Sequence, residues 1–305
     1  ILKMTKEHIL SAIYLRIPIV FIMTKIDIAI PSKLKNNVRK IKKLMKRAGK
    51  KVYEIHNEKD IQKSVDNMSC SCIPLFKISL VKGNDIDPPL SYLTTYLNGL
   101  NINKEIIDEK KNNTLFVIDK SFRVDGYPLI GSGYMRDGKI SVNSTLFLGP
   151  VNNDYIQVTI RSIHDDDRNN ISFIRKNEIG CIAFKTKSQF IKNKKYIKPG
   201  MIITNKKIPF IKKFVGLVSI FSNHSSTIKV GYNTLIHCGA VKRSTFIYKI
   251  TDYDGKVLDC IRGGDKKCKI YFTFINGKQF VKLHDRFIFR EGRTRGSGQI
   301  IEIVE

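Results

Sequence analysis

The chain has 305 residues, 42% of them hydrophobic, which is enough for two or three domains with proper cores and excludes a chain disordered by composition. Lys and Arg number 54 against 27 Asp and Glu, a formal charge of +27 that favours polyanions such as RNA; a Lys-, Asn- and Ile-rich, Trp-free composition of the kind A+T-rich coding produces accounts for part of the excess. No apolar run approaches the roughly 20 residues of a membrane span, and Ile1-Leu2-Lys3 opens no signal peptide, so no membrane partner is expected.

In chain order, Thr5 can cap a helix over 6–16 with Ile9, Ala12 and Ile13 on one face, and Pro18 ends it. Ile19-Val20-Phe21-Ile22-Met23 then runs straight into Thr24-Lys25-Ile26-Asp27. Such a run reads as a strand buried on both faces of a parallel sheet, and ligands of such sheets bind just past the strand ends. Lys25 and Asp27 stand there. One fixed carboxylate can accept both the ring N–H and the exocyclic amine of guanine, whereas adenine would leave it unpaired, a difference worth roughly 10⁴-fold in discrimination. Lys25 can lay its alkyl stem along the base. The bland reading of the same four residues is the polar end of a strand.

Ser32 is expected to cap a second helix, in which Leu34, Val38, Ile41, Met45 and Ala48 form an apolar stripe closed by Gly49. Lys35, Arg39, Lys42, Lys43, Lys46 and Arg47 fill its other face, a solvated surface or a contact for RNA phosphates. Residues 53–72 are polar and carry no clear pattern. Ile73 to Ser79 reads as another strand ending in the turn Leu80-Val81-Lys82-Gly83, and a helix follows over 86–99 with Leu90, Leu93, Leu97 and Leu100 as its stripe. The first hundred residues thus alternate α-β-α-β-α, the pattern of a parallel sheet with helices on its faces. Two strand ends in one such sheet can face one ligand. A Ser79 hydroxyl and the backbone N–H groups of Ser79 and Leu80 would donate to guanine O6, where adenine carries an amine instead.

Residues 101–113 are a polar linker, after which the period changes. Short apolar runs at 114–118, 140–142, 145–148, 156–160 and 179–184, split by Asp125-Gly126, Asp137-Gly138, Gly149-Pro150 and Asn152-Asn153, predict a small β-barrel ending near Asn205. A second β set includes 214–221, 235–238, 244–250, 269–274, 287–290 and 299–304, with Asp254-Gly255 and Asn276-Gly277 as hairpin signals. The expected organisation is a half α/β domain over 1–100, the linker over 101–113, and antiparallel β-barrels over 114–207 and 208–305. Of six cysteines only Cys70 and Cys72 lie close; no second pair completes a zinc site, so reduced thiols are expected. The six histidines are scattered, without H-E-x-x-H, and no Ser/His/Asp arrangement is supported by spacing.

Several stretches resemble translational GTPases of the elongation factor Tu / elongation factor 1-alpha class. Arg286-Phe287-Ile288-Phe289-Arg290-Glu291-Gly292-Arg293-Thr294-Arg295-Gly296-Ser297-Gly298 resembles the closing motif of that family's third domain, R-F-x-x-R-E-G-R-T-x-G-x-G. Residues 126–133 resemble the first hairpin of its second domain, with Pro128 for a glycine and Gly131 for a valine, which predicts a distorted hairpin. Thr24-Lys25-Ile26-Asp27 resembles the N/T-K-x-D guanine motif, and Ile78-Ser79-Leu80 resembles the S-A-x loop with Leu80 for Ala. Within the family, Thr5-Lys6-Glu7-His8, residues 232–239, the 53–72 insertion and residues 258–265 resemble the branch of eukaryotic GTP-binding proteins one and two.

The resemblance implies an α/β portion of a P-loop GTPase domain followed by two antiparallel β-barrels. It implies a GTP/GDP switch enzyme acting with the ribosome, tRNA or other RNA in translation or RNA turnover, cytoplasmic and monomeric. Guanine would be read by Thr24, Lys25, Asp27, Ser79 and Leu80, and RNA contacts would come from Arg290, Arg293 and Arg295, whose competing role is an Arg290–Glu291 ion pair beside a glycine turn. Such a GTPase also needs a G-x-x-x-x-G-K-[ST] loop, a Mg²⁺-holding threonine and a D-x-x-G-H motif. None occurs in the 305 residues. No catalytic residue or metal ligand is therefore expected here; the Mg²⁺ ligands are expected upstream. The chain alone is expected not to hydrolyse GTP, to bind it weakly, and to leave a sheet edge exposed. The alternative is a non-catalytic RNA- or protein-binding double-barrel module with a vestigial G domain.

Overall fold

The computed structural model describes residues 3–66, 72–100, 113–124, 127–188, 197–220, 227–262, 267–291 and 293–304, with backbone alone at 123, 124, 127, 128, 291 and 293–295. Cys70, Asp125-Gly126 and nearly all of the expected linker at 101–113 lie outside the described residues. The chain divides into two compact units, Ile1–Glu105 and Ile106–Glu305.

The first unit holds α1 (Lys3–Tyr14), β1 (Phe21–Met23), α2 (Pro31–Arg47), β2 (Lys51–Glu54), α3 (Glu58–Asp66), β3 (Cys72–Lys77) and α4 (Ser91–Gly99). Its sheet is parallel, in the order β1-β3-β2. Successive residues of a strand point to opposite faces, and β3 uses both. Ile73 and Leu75 join Ile9, Val38, Ile41 and Met45 in one core; Phe76 and Ile78 join Ile55, Ile61 and Tyr96 in the other.

Four local expectations differ from the structure. β1 is an edge strand, paired with β3 alone among the described residues, so Ile22 is 47% exposed rather than buried. Ser32 sits inside α2. The cap position is Ile30 with no side-chain bond, because Pro31 opens the helix with a preset φ and no N–H to satisfy. The polar stretch after Lys50 holds β2 and α3. Its signal was a capping pair: the Asp60 N–H donates to Asn57 Oδ1 (3.0 Å), and Asp60 Oδ2 accepts from the His56 N–H (3.1 Å). Finally, α4 starts only after Pro88-Pro89, its cap bond running from the Ser91 N–H to Asn84 Oδ1 (2.8 Å). Tyr96 is its buried residue and Leu97 is 51% exposed.

The second unit contains two closed six-strand barrels. The first uses β4 (Leu115–Val124), β5 (Tyr127–Asp137), β7 (Thr145–Val151), β8 (Asp154–His164), β11 (Ile179–Lys185) and β12 (Ile202–Thr204). They run in the order β11-β5-β4-β12-β7-β8, closed by β8 on β11. The short β9 (Asn170–Ile171) extends β8, and β6 (Lys139–Ser141) pairs with β10 (Phe173–Arg175). The sequence pattern missed β5, whose glycines hide its alternation. Gly133 is required there: a Cβ would lie 1.9 Å from the Val117 carbonyl oxygen of β4. The β4–β5 ladder shifts register three times, and one shift, between Phe122 and Val124, falls opposite Pro128.

The second barrel runs β13 (Lys213–Ile220), β18 (Cys268–Phe274), β16 (Val241–Thr251), β15 (Asn233–Cys238), β19 (Arg286–Glu291) and β20 (Arg293–Val304), with β14 (Ile228–Lys229) and β17 (Cys260–Ile261) as a separate pair. Five phenylalanines, 214, 272, 274, 287 and 289, are fully buried in its core. Asp254-Gly255 forms the expected tight turn, with Gly255 at φ +99° and Thr251 bridging Val257. Asn276-Gly277 joins no hairpin. It docks on the other barrel instead, where the Lys278 N–H donates to Asn153 Oδ1 (2.6 Å). Further inter-barrel ties are the Tyr155–Phe210 ring stack at 4.4 Å and the Arg136–Asp285 ion pair at 2.9 Å. Burial pushes the Tyr155 hydroxyl to about 12, and it donates to the Ile208 carbonyl (2.7 Å).

Candidate functional site

The turns at the ends of β1 and β3 are brought side by side. β1 and β3 are neighbours with Met23 opposite Lys77, so both chains leave the sheet at one level. The ladder continues past them: the Ile78 N–H donates to the Met23 carbonyl (2.8 Å), and the Ile26 N–H to the Ile78 carbonyl (3.4 Å). One backbone bond thus ties the Thr24–Asp27 turn to the Ile78–Leu80 turn, and the other anchors Ile78 to the end of β1.

Within the first turn, Thr24 and Lys25 are exposed, and Lys25 has φ +59°, a left-handed conformation uncommon for a residue with a Cβ. This sharp turn carries the backbone back toward Ile78. Asp27 is half-buried, and among the described residues no hydrogen bond or ion pair reaches its carboxylate. In the second turn Ser79 is fully buried; its Oγ accepts the Lys82 N–H (3.1 Å) and its carbonyl accepts the Gly83 N–H (3.0 Å). The hydroxyl therefore shapes the turn. Leu80 is 70% exposed, and its N–H donates to no described group. A carboxylate and an exposed backbone donor, the Asp27 side chain and the Leu80 N–H, each without a described partner at neighbouring strand ends, can meet a ligand offering donors on one edge and an acceptor on the next.

Behind the turns, Glu54 accepts from Lys42 (2.6 Å) and Lys77 (3.1 Å). Burial raises its pKa, but the hydrogen bonds and charges of the two lysines outweigh that and hold it below the usual carboxylate value. Lys42, expected on a solvated face, is thus partly engaged.

Arg290 of β19 borders a concavity of about 430 Å³ with Asn233, His237, Lys242 and Ser244. Its carbonyl accepts the Thr234 hydroxyl (3.2 Å). His237 was not singled out by its sequence. Burial, with the charges of Lys242 and Arg290, lowers its pKa below the ordinary histidine value, and its Nε2 is buried with no described partner. Arg293 pairs with Glu291 across the hairpin in backbone register, but the side chains of Arg293, Arg295 and Glu291 lie outside the described residues. In the first barrel, the 175–180 stretch folds as a turn in which Glu178 Oε2 accepts the Arg175 N–H (2.7 Å). Among the described residues, Cys72, Cys181, Cys238, Cys260 and Cys268 form no disulfide. Among the described residues no helix is long and apolar enough to cross a membrane.

The first unit thus offers a parallel half-sheet with paired strand-end turns, and the second holds two closed six-strand barrels. No protein-family model matches the chain. Its homologues are nonetheless specific. It is 28% identical over 310 residues to "GTP-binding protein 1" of Xenopus laevis, covering 100% of this chain and 44% of that protein. It is 23% identical to "GTP-binding protein 2" of Homo sapiens (98% and 48% covered) and 24% identical to the "Selenocysteine-specific elongation factor" of Methanocaldococcus jannaschii (94% and 54%). The chain therefore spans about half the length of the curated relatives it matches. Among solved structures, translation elongation factor SelB from Methanococcus maripaludis, apo form, shares the fold with a TM-score of 0.67 at 20% identity, over 99% of this chain and 60% of that one.

Proposed function

We propose that the chain is the base-reading portion of a guanine-nucleotide switch, a cytoplasmic, monomeric GTPase that acts with the ribosome, tRNA or other RNA in translation or RNA turnover. The observation that carries this is Asp27: a half-buried carboxylate without a described partner, tied through Ile26 and Ile78 to a turn whose exposed Leu80 N–H donates to no described group. Asp27 accepts the guanine ring N–H and amine. The N–H groups of Ser79 and Leu80 meet O6, the buried Ser79 hydroxyl holds their turn, Lys25 covers the base with its stem, and Thr24 opens its turn. This donor–donor–acceptor match is what rejects adenine.

GTP, GDP and Mg²⁺ are the expected ligands of the whole protein. We assign no residue of this chain to the metal or to the phosphates. The chain by itself is expected not to hydrolyse GTP. We assign the base-reading half to residues 1–100, the linker to 101–113 and the barrels to 114–207 and 208–305. RNA contact is assigned to Arg290, Arg293 and Arg295.

The test is binding of fluorescent GDP and ATP to the protein extended upstream through a complete G domain, beside Asp27→Asn. Tight, GDP-selective binding that Asp27→Asn relaxes toward xanthine nucleotides is expected. No nucleotide binding in the extended protein overturns the reading and leaves a non-catalytic double-barrel module.

A further inference from the structure

The junction of the two barrels contains a crevice of about 420 Å³ that no sequence motif marks. Three cations line it, Lys198, Arg243 and Lys278, together with the amides of Asn152, Asn153 and Asn276; no carboxylate is among its described lining residues. The cations come from three separate places. Lys198 precedes the Pro199-Gly200 turn of the first barrel, Arg243 lies on β16, and Lys278 follows the Asn276-Gly277 turn.

Arg243 is held in place but not neutralised. It donates from one terminal nitrogen to the Lys242 carbonyl (2.9 Å) and from the other to the Pro199 carbonyl across the junction (3.2 Å). Both acceptors are uncharged. Burial alone lowers its pKa, which means the cation is partly stripped of water without a counter-charge. No ion pair is recorded for Lys198 or Lys278 among the described residues.

The walls are fixed beforehand. Gly277, at φ +77°, packs so tightly that a Cβ would lie 2.8 Å from Asn153 Oδ1, the atom that accepts the Lys278 N–H. Gly200, at φ +89°, packs equally closely on Val241. A ligand entering here meets donors that need little reordering, which is how preorganised sites gain affinity.

We propose that this inter-barrel crevice binds a phosphate-bearing anion, either a polyphosphate or a run of RNA phosphodiesters, held between Lys198, Arg243 and Lys278. A planar carboxylate is satisfied by one guanidinium fork. Phosphate oxygens accept from several directions, as three cations and flanking amides on two barrels require. The assignment is separate from the Arg290–Arg295 turn and does not depend on the guanine reading.

The test uses the full chain, with pyrophosphate and a fluorescent single-stranded RNA as probes, titrated separately and in competition at several salt concentrations. Lys198→Gln/Lys278→Gln is compared with Lys249→Gln/Lys256→Gln, an equal charge change at exposed sites on the second barrel. A loss of about tenfold confined to the crevice variant, with a salt slope shallower by roughly one to two for RNA, is expected. Loss for both probes, with mutual competition, supports the shared site. Loss for RNA alone identifies phosphodiesters as the source, and loss for pyrophosphate alone identifies a small polyphosphate. Arg243→Lys, which keeps the charge but not the fork, should weaken whichever probe binds. Equal losses in the crevice and control variants, or no binding of either probe, overturn the proposal.

Discussion

The two units solve the problem of a sheet edge in opposite ways. Each barrel closes on itself, so no strand of its ring is left with an open side. The three-stranded sheet of the first unit ends on β1, and apolar residues stand exposed there and on the flanking loops: Ile17 at 52%, Ile22 at 47%, Ile28 at 76% and Ile30 at 54%. The difference also separates structure from chemistry. The barrels bury most of their apolar residues in two continuous cores, and Leu115, Val117, Ile202, Phe210 and Phe280 form a further buried cluster. The open sheet splits its smaller core over two faces and ends beside the Asp27 carboxylate, which has no partner among the described residues. A closed sheet spends its backbone donors on itself; a parallel sheet has free turns at its carboxyl ends, where ligands sit.

The comparison can be broken by mutation, most sharply in the cores. Phe272→Ala in the second barrel should cost about 4 kcal/mol, since Phe214, Phe287 and Phe289 ring it and closed strands cannot collapse into the cavity. Denaturant unfolding measures it. Leu75→Ala, equally buried at the centre of β3, should cost about 3 kcal/mol, less because an open sheet relaxes more easily. Hydrogen exchange over 3–100 reads it, and a cost above that of Phe272→Ala would reverse the contrast.

Gly133→Ala sharpens the point within a barrel. The added methyl meets backbone, not a movable side chain, so about 2 kcal/mol is expected, with the loss visible as weaker protection of the β4–β5 ladder. The smallest effect is Glu54→Gln, about 0.5 kcal/mol at neutral pH, because the Glu54 ion pairs are partly exposed to solvent. Its sign with pH follows from the lowered folded pKa: the stabilisation is present above the unfolded value near 4.5 and disappears as pH falls through the lower folded value. Parallel acid titrations of wild type and variant should therefore converge at low pH.

Much of the fold was legible because it rests on local pattern. The Val38–Ile41–Met45 stripe predicted α2, and the apolar run before Ser79 predicted β3. The change of period after the first hundred residues announced two β domains. What was missed lay where the pattern is carried by something other than apolar spacing. α3 is announced by the Asn57/Asp60 capping pair, and in β5 the backbone of β4 leaves no room for a Cβ at Gly133 while Gly131 packs on the Ile118 side chain. The Leu stripe of α4 held at Leu90, Leu93 and Leu100, which pack on the core, and failed at Leu97, because Tyr96 points inward there instead.

For the site, the sequence by itself determined which residue types end the two apolar strands, since T-K-I-D and I-S-L follow directly from reading the chain. Only the tertiary structure decided that β1 and β3 are adjacent, that Lys25 turns left-handed, and that Asp27 has no partner among the described residues. It alone brought Lys198, Arg243 and Lys278 into one crevice from positions far apart in sequence. The physical reason is the same in each case. Helix and strand periods are local, but which strand pairs with which, and which charge is left uncompensated, depend on contacts between segments that share no sequence neighbourhood.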